Sequence, residues 1–211
     1  MGLSIVVPVY NERDSIVDTI AELTGVINTI SEPTELILVN DGSSDGSDEV
    51  LQREVARIED GETAGHIQVV NHLRNSGYGA SLKTGIAKAQ YDTIAITDAD
   101  STYPNEELPR LLEHYREGYA MVVGMRSFTR LPLATRPAKW MLTRLANFLV
   151  GEKIPDINSG LRIFDRETAM RFFPMISDGF SFTTTITLAM LSSGRAVHYE
   201  PIQYKHRKGT S

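Results

Sequence analysis

The sequence predicts an α/β fold: a mostly parallel sheet with helices on both faces. Two observations predict it. Short β-branched runs alternate with stretches whose apolar residues recur at helical spacing, over roughly the first 125 residues. The polar motifs cluster where the β-branched runs stop, and open sheets of this kind bind ligands at the carboxyl ends of their strands, near a topological switch point.

The elements follow in order. Leu3 to Val9 reads as a buried strand closed by Pro8-Val9-Tyr10-Asn11. Glu12 to Ile30 places Ile16, Ile20, Leu23, Ile27 and Ile30 on one helical face, with Asn11 or Asp14 available as a cap. Glu35 to Asn40 is a second strand, ending in Asp41-Gly42-Ser43, and Ser47 to Ile58 a second helix. After the polar turn Asp60-Gly61-Glu62-Thr63, Ile67 to Val70 is a third strand and Gly77 to Ala89 a third helix. Thr93 to Thr97 is a fourth strand ending in Asp98-Ala99-Asp100, Glu106 to Arg116 a helix, and Tyr119 to Gly124 a fifth strand. Beyond Arg126 the pattern changes, with Pro132, Pro137 and Pro155 punctuating the chain. There Pro137 to Val150 reads as a helix, Asp156 to Phe164 as a loop and short strand, Ser181 to Ser192 as a helix weakened by three threonines, and Ala196 to Tyr204 as one or two strands.

Composition narrows the function. A formal charge of −6 argues against a partner bound through nucleic-acid phosphates. The absence of cysteine excludes a disulfide scaffold, cysteine-ligated zinc and a thiol nucleophile, and fits a reducing compartment. Met1-Gly2-Leu3-Ser4-Ile5 has no basic region ahead of its apolar stretch, so no secretory signal is expected. No apolar run reaches the ~18 residues that a membrane span requires.

Asp98-Ala99-Asp100 is the sharpest chemical signal. Two carboxylates at a strand end, two residues apart, suit a hard cation such as Mg2+ or Mn2+, which takes oxygen ligands together with substrate phosphates. Taken alone, the same tripeptide equally fits a solvated acidic loop. Gly77-Tyr78-Gly79 opens a helix, but Leu82 stands at the third glycine position of a dinucleotide fingerprint, and the Walker pattern also fails. A loop that needs small residues for close packing is the plainer reading. Tyr10, Glu12 and Asp41 suit a nucleoside, with a ring to pack on a base and carboxylates to accept from base N–H groups or ribose hydroxyls. Singly, helix capping and turn formation explain them as well.

Together the motifs resemble family 2 glycosyltransferases of the GT-A fold, most closely the branch that glycosylates polyprenyl and dolichyl phosphates. The matching residues are Pro8-Val9-Tyr10-Asn11-Glu12, Asn40 to Gly46, Arg74-Asn75 with Gly77 and Gly79, Asp98-Ala99-Asp100, Gly124-Met125-Arg126 and Asp156 to Arg162, in family order across nearly the whole chain. The resemblance implies one GT-A domain over 1–211, with a nucleotide-sugar half at 1–125 and an acceptor half at 126–211. It implies that Pro8, Tyr10, Glu12, Val39 and Asp41 hold the nucleoside, that Asp98 and Asp100 hold Mg2+ or Mn2+ with Ala99 beside the diphosphate, and that Arg126 and Arg207 meet phosphate oxygens. Ser159 and Arg162 would belong to the acceptor loop. Asn40 stands where the family often has an acid, and Thr102 where many members carry a metal-binding Gln. The Gln-x-x-Arg-Trp motif of processive members is absent, which disfavours polysaccharide synthesis.

The activity this implies is inverting transfer of a sugar from GDP-mannose or a UDP-hexose to a polyprenyl phosphate, at the cytoplasmic face of a membrane. A lipid phosphate with a second pKa near ~6 is largely dianionic at neutral pH and needs no general base. Transfer to a glycan hydroxyl and a non-catalytic nucleotide-sugar-binding module are the competing readings. Arg136, Lys139 and Arg144 beside Trp140 and Phe148 fit an interfacial helix, or equally a helix packed on the sheet. Family members often continue past the basic segment at Arg207-Lys208, so a truncated soluble domain or a short, partner-tethered member is expected.

Overall fold

The structure, a computed structural model, describes residues 2–59, 66–126, 144, 147, 150–151 and 153–205. The predicted helix from Pro137 and the basic end with Arg207 lie largely or wholly outside the described residues.

Alternating strand and helix is what folds. Strand β1 (Leu3–Val9) leads to α1 (Ile16–Ile27), β2 (Thr34–Asn40), α2 (Ser47–Glu59), β3 (His66–Asn71), α3 (Tyr78–Lys88) and β4 (Thr93–Ile96). A 3-10 turn (Asn105–Glu107) precedes α4 (Leu108–Arg116) and β5 (Met121–Arg126). Then come β6 (Arg162–Asp165), α5 (Arg166–Phe172), a second 3-10 turn (Phe173–Met175), α6 (Phe182–Ser192) and β7 (Val197–Ile202).

The first helix starts later than its periodicity predicts. Asn11 has φ 54°, and the Glu12 carbonyl accepts from the N–H groups of Ser15 and Ile16, so 12–15 form a turn. Ser15 is the N-cap, and Asn11 instead accepts the Ser44 N–H through its side chain at 2.9 Å. Helix α5 is not foreseen from the sequence. Its cap is Asp165, whose carboxylate accepts the Thr168 N–H at 2.7 Å.

The seven strands run in the order β3-β2-β1-β4-β6-β5-β7. Neighbours pair in parallel except β6, which lies antiparallel between β4 and β5. Alternation along β1 sends Ile5 and Val7 to one face and Val6 to the other, because successive strand side chains point opposite ways. On the first face they pack with Ile20 and Leu23 of α1, Leu51 of α2 and Leu111 of α4. On the second, Val6, Ile37 and Ile96 pack with Leu82 and Ile86 of α3 and Phe182 and Ile186 of α6. Both faces are therefore covered, and each fully buried Leu, Ile or Phe contributes about 1.5–3 kcal/mol. Strands β2 and β3 build outward from β1 on one side while β4 sits on the other, so the switch point falls between β1 and β4.

Candidate active site

The loops after β1, β2 and β4 meet at that switch point. The β1 and β2 loops are tied to each other: Ser43 Oγ accepts the Asn11 N–H at 3.1 Å and Ser47 Oγ accepts the Glu12 N–H at 3.0 Å. Asn40 does not act as an acid here. It donates to Asn71 at 3.0 Å and accepts the Ser43 N–H at 3.1 Å, holding the start of the loop.

Asp41 is buried and organises the loop after β3. Its Oδ1 accepts the Ser76 N–H at 2.8 Å and meets His72 Nδ1 at 2.7 Å, and its Oδ2 accepts the Gly77 N–H at 2.8 Å. Lone-pair capacity remains on Oδ2 for a ligand. His72, whose Nε2 lies 2.9 Å from Thr84 Oγ1, is a support that local sequence patterns do not single out.

The glycines at 77 and 79 bear out the close-packing reading. A Cβ on either would collide with the backbone carbonyls of Asp178 or Ser177, and Gly77 also has φ 106°. The Ala80 N–H donates to the Asp178 carbonyl at 3.0 Å, and Lys83 donates to the Ile176 carbonyl and to Asp178 Oδ1. The segment 176–180 is thereby laid across the start of α3, which brings Phe180 onto the ring of Tyr78, centroids 5.8 Å apart.

Asp98 and Asp100 follow β4 on a loop fixed from α1. Thr19 Oγ1 donates to the Ala99 carbonyl at 3.0 Å, and Ser101, in the left-handed region at φ 58°, is held against Thr19 Oγ1 at 3.1 Å. Thr102 donates to Asp100 Oδ1 through its hydroxyl at 2.6 Å, so it orients the second acid. Asp98 Oδ1 accepts the Tyr78 hydroxyl at 2.9 Å. Burial, and then the charge of Asp100, push the Asp98 carboxyl up to about 6, against the opposing pull of Tyr78 and Arg126. The same surroundings raise the Tyr78 hydroxyl well above its usual range, chiefly through burial and then the charge of Asp98.

Two adjoining cavities share Tyr78, Asp98 and Phe180. The first, of about 360 Å3, is lined by the predicted donor residues Pro8, Tyr10, Glu12, Asp41, Asp98, Ala99 and Asp100. Val39 instead points into the core among Leu82 and Ile86, one pleat behind the loop. The second, of about 440 Å3, is lined by Arg126, Asn158, Thr183, Thr184 and Tyr204 as well as the shared residues. Arg126 is clamped by Asp156 through Nε at 2.8 Å and Nη2 at 2.9 Å, and its guanidinium lies 5.4 Å from the centre of the Tyr204 ring. Burial alone would raise the Asp156 carboxyl, but the hydrogen-bonded Arg126 outweighs it and holds the group below its usual value.

Arg162 and Ser159 reach neither cavity. Arg162 is fully buried, and it donates to the carbonyls of Ser159 at 2.6 Å, Ile157 at 2.7 Å and Thr183 at 3.0 Å, and to Thr187 Oγ1. Ser159 donates to the Gly124 carbonyl at 2.5 Å. Arg162 opens β6, a central strand between β4 and β5 in a sheet covered on both faces, so either face of the pleat would bury its side chain. Both residues shape the 157–161 loop, where Tyr103 Oη accepts the Gly160 N–H at 2.6 Å and a Cβ at 160 would lie 2.7 Å from Asp98 Oδ2. Tyr78, Tyr103, Phe180 and Tyr204 line the cavities without a role having been read for them from the sequence, and Asp156, which opens one of the matching motifs, holds Arg126 in place. Of the four, Tyr78, flanked by glycines, carried a local signal.

A mostly parallel sheet with an acid pair at its switch point and a nucleotide-sized cavity beside it defines the GT-A class of folds. The fold superposes on solved glucosyl-3-phosphoglycerate synthase from Mycobacterium tuberculosis, in complex with Mn2+, UDP and phosphoglyceric acid, with TM-score 0.75 at 19% identity, covering 100% of this chain and 72% of that one. The same enzyme with Mn2+ and UDP-glucose gives 0.72 at 18% identity, over 100% and 72% of the two chains. The chain belongs to glycosyl transferase family 2, whose model matches residues 4–173. Among curated relatives, the undecaprenyl-phosphate 4-deoxy-4-formamido-L-arabinose transferase of Yersinia enterocolitica is 31% identical over 192 residues, 87% of this chain and 57% of the relative. That of Aeromonas hydrophila is 30% identical over 191 residues, 86% and 57%. The chain thus spans a little over half the length of these relatives.

Proposed function

We propose that this chain is the catalytic domain of an inverting glycosyltransferase that passes a sugar from a nucleoside diphosphate to a polyprenyl phosphate. The observation that carries this is the meeting of two cavities at Asp98, with the nucleoside-type residues in one and Arg126 in the other. Among the described residues lining the second cavity, Asp98 is the sole carboxylate, so a hydroxyl acceptor finds no separate base there. An acceptor that arrives already anionic needs none. The lipid named for the curated relatives is of that kind.

A divalent cation fits Asp98 and Asp100. Burial and mutual repulsion raise the Asp98 carboxyl, and a bound cation would relieve both. When bound, Mg2+ or Mn2+ supplies Lewis-acid stabilisation to the departing diphosphate. The chain's own residues do the rest. Tyr10 offers a ring to the base, and Glu12 and Asp41 accept from nucleoside N–H or hydroxyl groups. Ala99, with a small side chain, lets the diphosphate approach the acid loop. Arg126, held rigid by Asp156, presents fixed positive charge to phosphate oxygens, and Arg207 would add to it on the donor side. Tyr78 and Phe180 wall the junction of the cavities. Membrane association follows from the acceptor, which is a lipid.

The test is incubation of the purified chain with Mn2+, UDP- or GDP-sugars and either undecaprenyl phosphate or free hexose acceptors. Lipid-linked sugar should form, its yield falling at least 100-fold in Asp100→Ala and to background with chelator. Equal activity in Asp100→Ala, or transfer to hexose alone, would overturn the assignment.

A further inference from the structure

A second cluster of ligand-type side chains lies at the sheet edge, away from both cavities. His198 and Glu200 sit two apart on β7, the outermost strand, so they share a face. Helix α4 brings His114 to the same place from its last turn. Glu200 Oε2 lies 3.2 Å from His114 Nε2 and 3.1 Å from His198 Nε2, and the three ligand atoms fall within 4.8 Å of one another. A tetrahedral ion with bonds of about 2.0–2.1 Å spaces its ligand atoms by roughly 3.3 Å, close to the two distances from Glu200 Oε2.

The surrounding contacts orient each ligand. His114 Nδ1 lies 3.1 Å from Glu117 Oε1, a carboxylate contact of the kind that orients a ligating imidazole through its other ring nitrogen. Arg110 engages Glu200 through Oε1, leaving Oε2 to face the two imidazoles. The His198 ring packs against Tyr119 with centroids 5.0 Å apart, and against His114 at 4.5 Å. The buried Glu200 Oε2 and the two imidazole Nε2 atoms thus converge as one set of oxygen and nitrogen ligand atoms.

We propose that His114, His198 and Glu200 form a Zn2+ site. Two imidazoles and one carboxylate suit borderline-soft zinc, whereas the all-oxygen pair Asp98 and Asp100 suits Mg2+ or Mn2+. The side chains of both histidines are about a quarter exposed, at 27%, which leaves the fourth position open to water. Such an ion staples the edge strand to α4. It thereby braces the chain that continues from β7 to Tyr204 in the second cavity and to Lys205, whose N–H donates to the Thr102 carbonyl at 2.8 Å. The inference does not depend on the transferase reading.

The test is calorimetric titration of the chelator-stripped chain with Zn2+ in excess Mg2+, together with zinc X-ray absorption and thermal melting. One equivalent should bind, with two imidazoles in the scattering and a rise in Tm. Glu117→Gln should weaken binding roughly 10-fold, and His198→Ala and His114→Ala by more than that. Failure of the wild-type chain to bind Zn2+ would overturn the site whatever the variants do. So would undiminished binding by a folded H114A/H198A double variant, which would place the ion elsewhere.

Discussion

Asp98 and Arg162 illustrate how one residue's surroundings decide its work. Asp98 has a folded-state carboxyl pushed up to about 6 from a reference of 3.8, chiefly by burial and then by Asp100. Below the reference value the group is protonated in both folded and unfolded chains and has no effect. As pH rises through the window between the two values, the folded chain holds a proton the unfolded chain has lost, so stability from this group falls. Above about 6 the cost is complete, up to about 3 kcal/mol. Asp98→Asn should therefore raise the metal-free Tm at pH 7.5 by roughly 2–4 °C per kcal/mol recovered, while abolishing transfer. Thermal melts at pH 7.5 and 4.5 check this, because the gain should shrink to roughly a third at the lower pH, which lies just above the reference value. Arg162, by contrast, supports the loop from inside. Arg162→Ala strips donors from the Ser159, Ile157 and Thr183 carbonyls and leaves a cavity, so it should cost roughly 3–5 kcal/mol in urea unfolding. A variant with unchanged stability and a selective loss of acceptor use would restore Arg162 to direct contact.

At the scale of the element, α3 and the segment 176–180 act together. The glycines at 77 and 79 let the segment lie on the helix start, and Phe180 then covers Tyr78. Gly79→Ala should lift that segment, because the clash is with backbone that has no side-chain freedom to yield. The expected result is a lower Tm and at least a tenfold loss of UDP or GDP affinity, measured by calorimetry with Mn2+. An unchanged nucleotide affinity would show that Phe180 is not part of the donor wall. The acid loop has a similar brace in Thr19, which joins α1 to the Ala99 carbonyl, so helix packing on one face sets carboxylate position at the strand end.

At the scale of the molecule, strand β6 decides the architecture. It pairs Ile94 with Phe164 on one side and Val122 with Ile163 on the other, so the proposed nucleotide and acceptor halves share one sheet. The chain should therefore unfold in a single transition in urea, coincident by circular dichroism and tyrosine fluorescence. A fragment ending at residue 125 should fail to fold cooperatively, because β4 and β5 would lose the strand between them. Two separated transitions would show that the halves are independent. Among the described residues no helix is long and apolar enough to cross a membrane.

The sequence by itself determined the alternation of strands and helices and the placing of acids and loop glycines at strand ends, since periodicity and turn chemistry act over a few neighbouring residues. It also carried the family, through motifs whose order survives in the chain. Only the tertiary structure decided that β6 runs backwards, that Arg162 faces the core, that Phe180 closes over Tyr78, and that His114 meets His198 and Glu200. Each of these joins residues far apart in the chain, or sets a strand's direction by the neighbours it finds. Local patterning encodes which side chains prefer burial, but the order of strands in the sheet selects which partners they meet.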